Sequence, residues 1–263
     1  MIINFNKNFI FLDMPKTSSM TMNVILSQYS DDKDIITCID YLSEQKMFRL
    51  FKKKPQNYNY DYFKILNLIY SSQYLIHNFK NYLKKFDIIR KVFNPKIEFD
   101  KKYYKGIHFK YYEKFYYGQH CESVKHKLGK RFDTMKKICF VRNPYSQLFG
   151  LYKMNTKMRI NFDDYLYYKV IKKKTFETKR KLIEIDNKIV IDHIIRYENA
   201  LEDLSKLENI FNIDIVKYYK DLRLNNLDQL RSSLDYREFY SKKSQQLVKQ
   251  HAGFFLDNFD YKF

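Results

Sequence analysis

The chain has 263 residues, 45% of them hydrophobic, which is enough to bury one sizeable core, or one core with a smaller appendage. Five glycines and four prolines are too few for long flexible linkers, and the widely spaced Cys38, Cys121 and Cys139 make neither a disulfide framework nor a zinc knuckle. The 49 Lys and Arg against 30 Asp and Glu give a net charge of +19, which attracts polyanions; the same surplus of Lys, Ile, Asn, Tyr and Phe fits an AT-rich coding sequence, so composition alone assigns no ligand.

In chain order, residues 8–14 (NFIFLDM) form a short apolar run suited to a buried strand. PKTSS follows, and TMNVILSQY then reads as a helix with Ser18 or Ser19 at its N-cap. Residues 31–58 are mixed. Residues 61–92 carry apolar side chains at helical spacing, such as Phe63, Leu66, Ile69, Ile76 and Phe79, and predict one or two amphipathic helices. Residues 99–117, rich in Lys, Tyr and Phe, suit strand or loop. A helix over 122–128 is closed by Gly129. KICFV at 137–141 is a second buried strand, followed by Arg142-Asn143-Pro144, with Pro144 in the first turn of a helix running to about Met154. Another helix is expected over 162–171, a third strand within 188–196, and helices over 198–211 and 242–258.

Alternating strands and helices predict one α/β domain over 1–263, with a central parallel sheet covered by helices on both faces. Within it, residues 30–115 are expected to form a divergent, mostly helical insertion that shapes the acceptor pocket. No run reaches the ~18–20 apolar residues of a membrane span, and residues 1–5 show no basic stretch leading into an apolar one. The expectation is a cytoplasmic protein in a reducing compartment. In parallel sheets ligands bind beyond the carboxyl ends of the strands, which puts the loops at 13–19 and 142–146 on one edge.

The loop Pro15-Lys16-Thr17-Ser18-Ser19-Met20-Thr21 joins a strand to a helix. Its N–H groups, with the helix N-terminus behind them, make a site for an anion. Lys16 adds a mobile positive charge, and Thr17, Ser19 and Thr21 add hydroxyls. The loop does not match GxxxxGK[ST], because its Lys precedes the turn, so an ordinary nucleoside triphosphatase fits poorly. Taken alone, it also reads as a simple Ser/Thr-capped helix start. Arg142 stands at the end of the next strand, where its planar fork suits bidentate phosphate binding, and Ser146 offers a further hydroxyl. Two strand ends would then hold two phosphates.

These residues resemble the sulfotransferase family. PKTSSMT is similar to its 5′-phosphosulfate loop, PKTGTTS, and CFVRNPYSQLFGLY to its 3′-phosphate segment, FVRNPYDRLVSxY. His120 and the helix ending in Leu128-Gly129 resemble KHxxAxxIxxxLG of the carbohydrate-type branch. Arg196-Tyr197-Glu198-Asn199-Ala200 resembles its RYEDL junction, and Phe259-Asp260-Tyr261-Lys262-Phe263 its FGYxF tail. The resemblance implies a P-loop-like fold and 3′-phosphoadenosine 5′-phosphosulfate (PAPS) as cosubstrate, with no metal. It implies sulfuryl transfer to a hydroxyl or amine of a carbohydrate or other acceptor. Lys16 would stabilise the leaving oxygen, Thr17 and Ser19 with the loop backbone would hold the 5′-phosphate, and Arg142 the 3′-phosphate. His120 would be the general base, the alternative being a capping or loop histidine. Glu198 is read as structural.

The chain departs from the pattern at four places. Ser18 replaces the loop glycine, Met20 the second loop threonine, Ser146-Gln147 an Asp-Arg pair, and Gly150 a serine that normally helps hold the 3′-phosphate. If the position of Ser18 demands a positive φ, serine strains the loop. A second reading follows: a catalytically silent member that binds an anionic partner through its basic surface. No nucleic-acid motif stands in 99–117, so a polynucleotide ranks last.

Overall fold

A computed structural model describes residues 1–58, 114–156, 158–224 and 234–263. The helices expected over 61–92 and most of the segments 30–115 and 99–117 lie outside the described residues.

β1 (Ile2–Asn4) and β2 (Phe9–Leu12) form an antiparallel hairpin, with Ile2 opposite Phe11 and Asn4 opposite Phe9. α1 (Ser19–Ser27) follows the Lys16 loop, and β3 (Ile35–Ile36) returns to pair antiparallel with β1. α2 (Tyr41–Phe51) starts at Asp40, whose side chain accepts the Ser43 N–H. α3 (Cys121–Leu128) ends at Gly129, in positive φ, and the short α4 (Lys130–Thr134) leads into β4 (Lys136–Val141). α5 (Pro144–Thr156) begins at the expected proline. α6 (Phe162–Tyr167) runs on into a π-helical turn, Tyr168–Lys172, and α7 (Thr175–Arg180) comes next. β5 (Glu184–Ile185) and β6 (Lys188–Ile189) make a small separate hairpin. Its turn residues Asp186 and Asn187 both have positive φ, as a tight primed turn requires. β7 (His193–Arg196), α8 (Ala200–Phe211), α9 (Val216–Tyr219) and α10 (Lys242–Asn258) complete the described elements used below.

The main sheet has five strands in the order β3-β1-β2-β4-β7. β2, β4 and β7 run parallel, with Leu12 opposite Cys139 and Val141 opposite Arg196. The expected all-parallel sheet is therefore corrected to a mixed one. The reason is local: residues 5–8 make a tight turn, and strands joined so closely can only pair antiparallel. The strand expected within 188–196 is β7, while Lys188–Ile189 at the start of that stretch pair with β5 instead.

Alternation along the strands divides the core in two. Ile10, Leu12 and Cys139 pack with Val124 of α3, Leu148 of α5 and Val248 of α10. Phe9, Phe11, Ile138, Phe140 and Ile195 pack with Met22 and Ile25 of α1 and Leu204 and Leu207 of α8. Both faces are covered by helices, which is why the central strands read as unbroken apolar runs. The three cysteines form no disulfide, and Cys121 and Cys139 are buried. Among the described residues no helix is long and apolar enough to cross a membrane.

Candidate functional site at the carboxyl edge of the sheet

The chain leaves β2 at Asp13, whose buried carboxylate accepts from Asn23 Nδ2 (2.6 Å), the Met1 amino group and the Gly118 N–H. Burial outweighs these partners and raises its pKa. Met14 is the hub of the loop. Its N–H donates to Ser19 Oγ (3.0 Å), and its carbonyl accepts from Thr17 Oγ1 (2.7 Å) and Ser19 Oγ (2.7 Å). Thr17 and Ser19 are fully buried, with their hydroxyls 3.0 Å apart. Those two hydroxyls thus fix the shape of the loop from inside, while Thr21 is half-exposed.

The loop backbone turns left-handed at Lys16 (φ 66°) and again at Ser18 (φ 78°). Ser18 stands at the N-cap of α1 yet makes no side-chain capping bond, so its own geometry is the one that favours glycine. The first-turn N–H groups of Ser19, Met20 and Thr21 have no acceptor within the helix, the ordinary condition of a helix start. Lys16 makes no ion pair among the described residues; Nζ lies against Met154 Sδ of α5. Burial lowers its pKa, and the charge of Asp40 opposes that shift.

Arg142 follows β4 and is held on several sides. Nε donates to Ser146 Oγ (3.0 Å), Nη1 donates to the Lys16 carbonyl (3.3 Å), and the guanidinium lies 4.1 Å from the ring centre of Tyr197. Gly150 lies one turn beyond Ser146 on α5. A Cβ there would stand 3.4 Å from Arg142 Nη1, so the guanidinium packs against bare helix. Gln147, on the same helix, donates to the Pro15 carbonyl (2.6 Å) and accepts from Lys179 Nζ (2.5 Å). The two sequence-predicted loops are therefore bonded to each other.

The other segments meet at this edge too. Glu198 accepts the Asn143 N–H (3.0 Å) and the Tyr261 hydroxyl (3.0 Å), and Asn143 donates to the Lys262 carbonyl (2.7 Å). Phe263 packs on Tyr145, with ring centres 4.9 Å apart. Glu198 lies in the helical turn Tyr197–Asn199 that leads into α8, at the expected helix start, and also joins the strand end to the closing residues. His120 occupies the N-cap position of α3, half-exposed and without a side-chain capping bond. Its turn is tied on one side by Gly118 to Asp13 and on the other by the Cys121 N–H to the Lys181 carbonyl (3.0 Å).

Three residues at this edge escape a reading of the sequence as sites. Asp40 Oδ2 is buried and has no hydrogen-bond partner among the described residues, while its charge acts on Lys16. The signal available was an Asp just before a helical run, and that signal announces only a cap. Lys179 is 4% exposed, and nothing distinguishes it among 49 Lys and Arg. Gln147 stands out only as a departure from the family pattern. No group of three or more His, Cys, Asp or Glu among the described residues is arranged to hold a metal ion. No family model, no curated protein and no solved structure matches the chain.

Proposed function

We propose that the chain is a PAPS-dependent sulfotransferase of P-loop-like fold, acting on a hydroxyl or amine of a carbohydrate or another acceptor. The observation that carries this reading is convergence. Segments around Lys16, His120, Arg142, Glu198 and Tyr261 are far apart in sequence, yet they meet at one sheet edge through the bonds between Arg142 and Lys16, Gly118 and Asp13, and Glu198 and Tyr261. The residues present suit a nucleotide with two anionic ends: backbone N–H groups at one strand end and a guanidinium at the next.

In this reading the acceptor oxygen or nitrogen attacks sulfur in line as the bond from sulfur to the 5′-phosphate oxygen breaks. Lys16 stabilises the charge gathering on that oxygen. The loop N–H groups hold the 5′-phosphate, and Arg142 holds the 3′-phosphate. His120 takes the acceptor proton, with Asp40 Oδ2, which has no hydrogen-bond partner among the described residues, as the other group able to do so. Incubation with sulfur-labelled PAPS and a panel of glycan and small hydroxylated acceptors tests the reading. Label transferred to an acceptor and lost with Lys16→Ala supports it; no transfer to any acceptor, with the nucleotide bound, favours the second reading.

That second reading, a silent member binding an anionic partner, is favoured by one observation. The hydroxyls of Thr17, Ser19 and Ser146 are engaged by the protein's own groups.

A further inference from the structure

Lys179 is a buried cation without a carboxylate. It is 4% exposed, and among the described residues it makes no ion pair. Its Nζ donates to Gln147 Oε1 (2.5 Å) and lies 5.2 Å from the ring centre of Phe176. The charges that reach it are Arg142, from the end of β4, and Lys169, from the π-helical turn, and both are positive. α10 meets α7 through an apolar contact, Phe255 on Phe176. A buried ammonium among like charges is costly unless an anion joins it. The arrangement also has a direction: Gln147 links Lys179 to the Pro15 carbonyl, and the next carbonyl, Lys16, accepts from Arg142.

We propose that Lys179 is a third cation of the donor site beside Lys16 and Arg142, linked to the Pro15-Lys16 loop through Gln147, and that with Arg142 and the loop N–H groups it supports the phosphates of the bound nucleotide. This rests on the donor-site reading above and extends it to a residue outside every motif. Lys179 acts as a positioning and charge-supplying residue through Gln147 and the loop.

One consequence separates this role from mere packing. Burial, then Arg142, then Lys169, lower the Lys179 ammonium from 10.5 to about 7. Above that pH the protein without ligand holds the amine mostly neutral. A polyanion favours the ammonium, so nucleotide binding there takes up a proton at Lys179.

The test is calorimetric titration of the full chain with adenosine 3′,5′-bisphosphate, about one pH unit above the amine's midpoint, in buffers of differing ionisation enthalpy. Lys179→Met and Lys179→Arg are compared with the unsubstituted protein, and thermal unfolding checks that each is folded. The expected result is net proton uptake that is lost in both variants relative to the unsubstituted protein. Affinity should fall about tenfold in Lys179→Met and stay within about threefold in Lys179→Arg, whose charge is permanent. Should Lys179→Met not fold, Lys179→Arg decides on proton uptake alone. Unchanged proton uptake in a folded variant overturns the role of Lys179 and leaves the donor-site reading standing. Absence of nucleotide binding by the unsubstituted protein overturns both.

Discussion

The segments after β2 and after β4 lie side by side at one sheet edge and present opposite chemistries. After β2 the site is backbone: Thr17 and Ser19 close onto Met14, two residues turn left-handed, and the first N–H groups of α1 remain. After β4 the site is side chain: Arg142 is fixed by Ser146, the Lys16 carbonyl and Tyr197, with Gln147 and Lys179 beside it. Substitutions in the two segments should therefore register differently. Hydroxyl changes in the first segment should alter the loop's shape and stability, whereas changes in the second should remove charge from the proposed nucleotide site. Lys16 is the exception in its own segment, a charged side chain on a backbone cradle.

That exception gives the largest effect. Lys16→Ala is expected to lower turnover about 10²–10³-fold with nucleotide affinity nearly unchanged, the signature of a charge acting on the leaving oxygen. Equal losses in steady-state turnover and nucleotide binding would make Lys16 an ordinary phosphate contact. Next comes Arg142→Ala, which should weaken adenosine 3′,5′-bisphosphate by about 10–100-fold, the scale of a hydrogen bond to a charged group. Adenosine 5′-monophosphate should bind about equally to both proteins; calorimetry with the two nucleotides decides.

The comparison is sharpest at Thr17. Thr17→Val removes a buried hydroxyl bond to Met14 and should cost about 1–2 kcal/mol in denaturant unfolding. A variant with unchanged stability but no nucleotide binding would mean that this hydroxyl serves the ligand after all. Ser18→Gly relieves a left-handed serine and should stabilise the fold by up to about 1 kcal/mol without altering affinity. Gly150→Ser carries the smallest effect: about threefold tighter nucleotide binding, because its hydroxyl would sit against Arg142. Weaker binding would show that the guanidinium needs the bare helix.

Much of this edge is legible in the sequence because its elements are contiguous. The apolar runs of β2 and β4 are buried on both faces, and each ends in polar residues with distinctive chemistry. The hairpin partner β1 and edge strand β3 have three and two residues, too few for any alternation to register, so the mixed sheet is not foreseeable. The β5–β6 turn is signalled only by Asp186-Asn187. The inward turn of Thr17 and Ser19 depends on the position of one carbonyl, Met14, which no residue pattern encodes. Lys179 reaches Gln147 across 32 residues of chain, and contacts of that kind leave no local trace.

The claim on which the rest depends is that two neighbouring strand ends hold the two phosphates of one nucleotide. Thermal-shift titration with adenosine 3′,5′-bisphosphate, alongside adenosine 5′-monophosphate, tests it most directly. The bisphosphate should stabilise the fold at concentrations where the monophosphate does not, and Arg142→Ala should abolish that advantage. Equal stabilisation by the two nucleotides, or none by either, would contradict it.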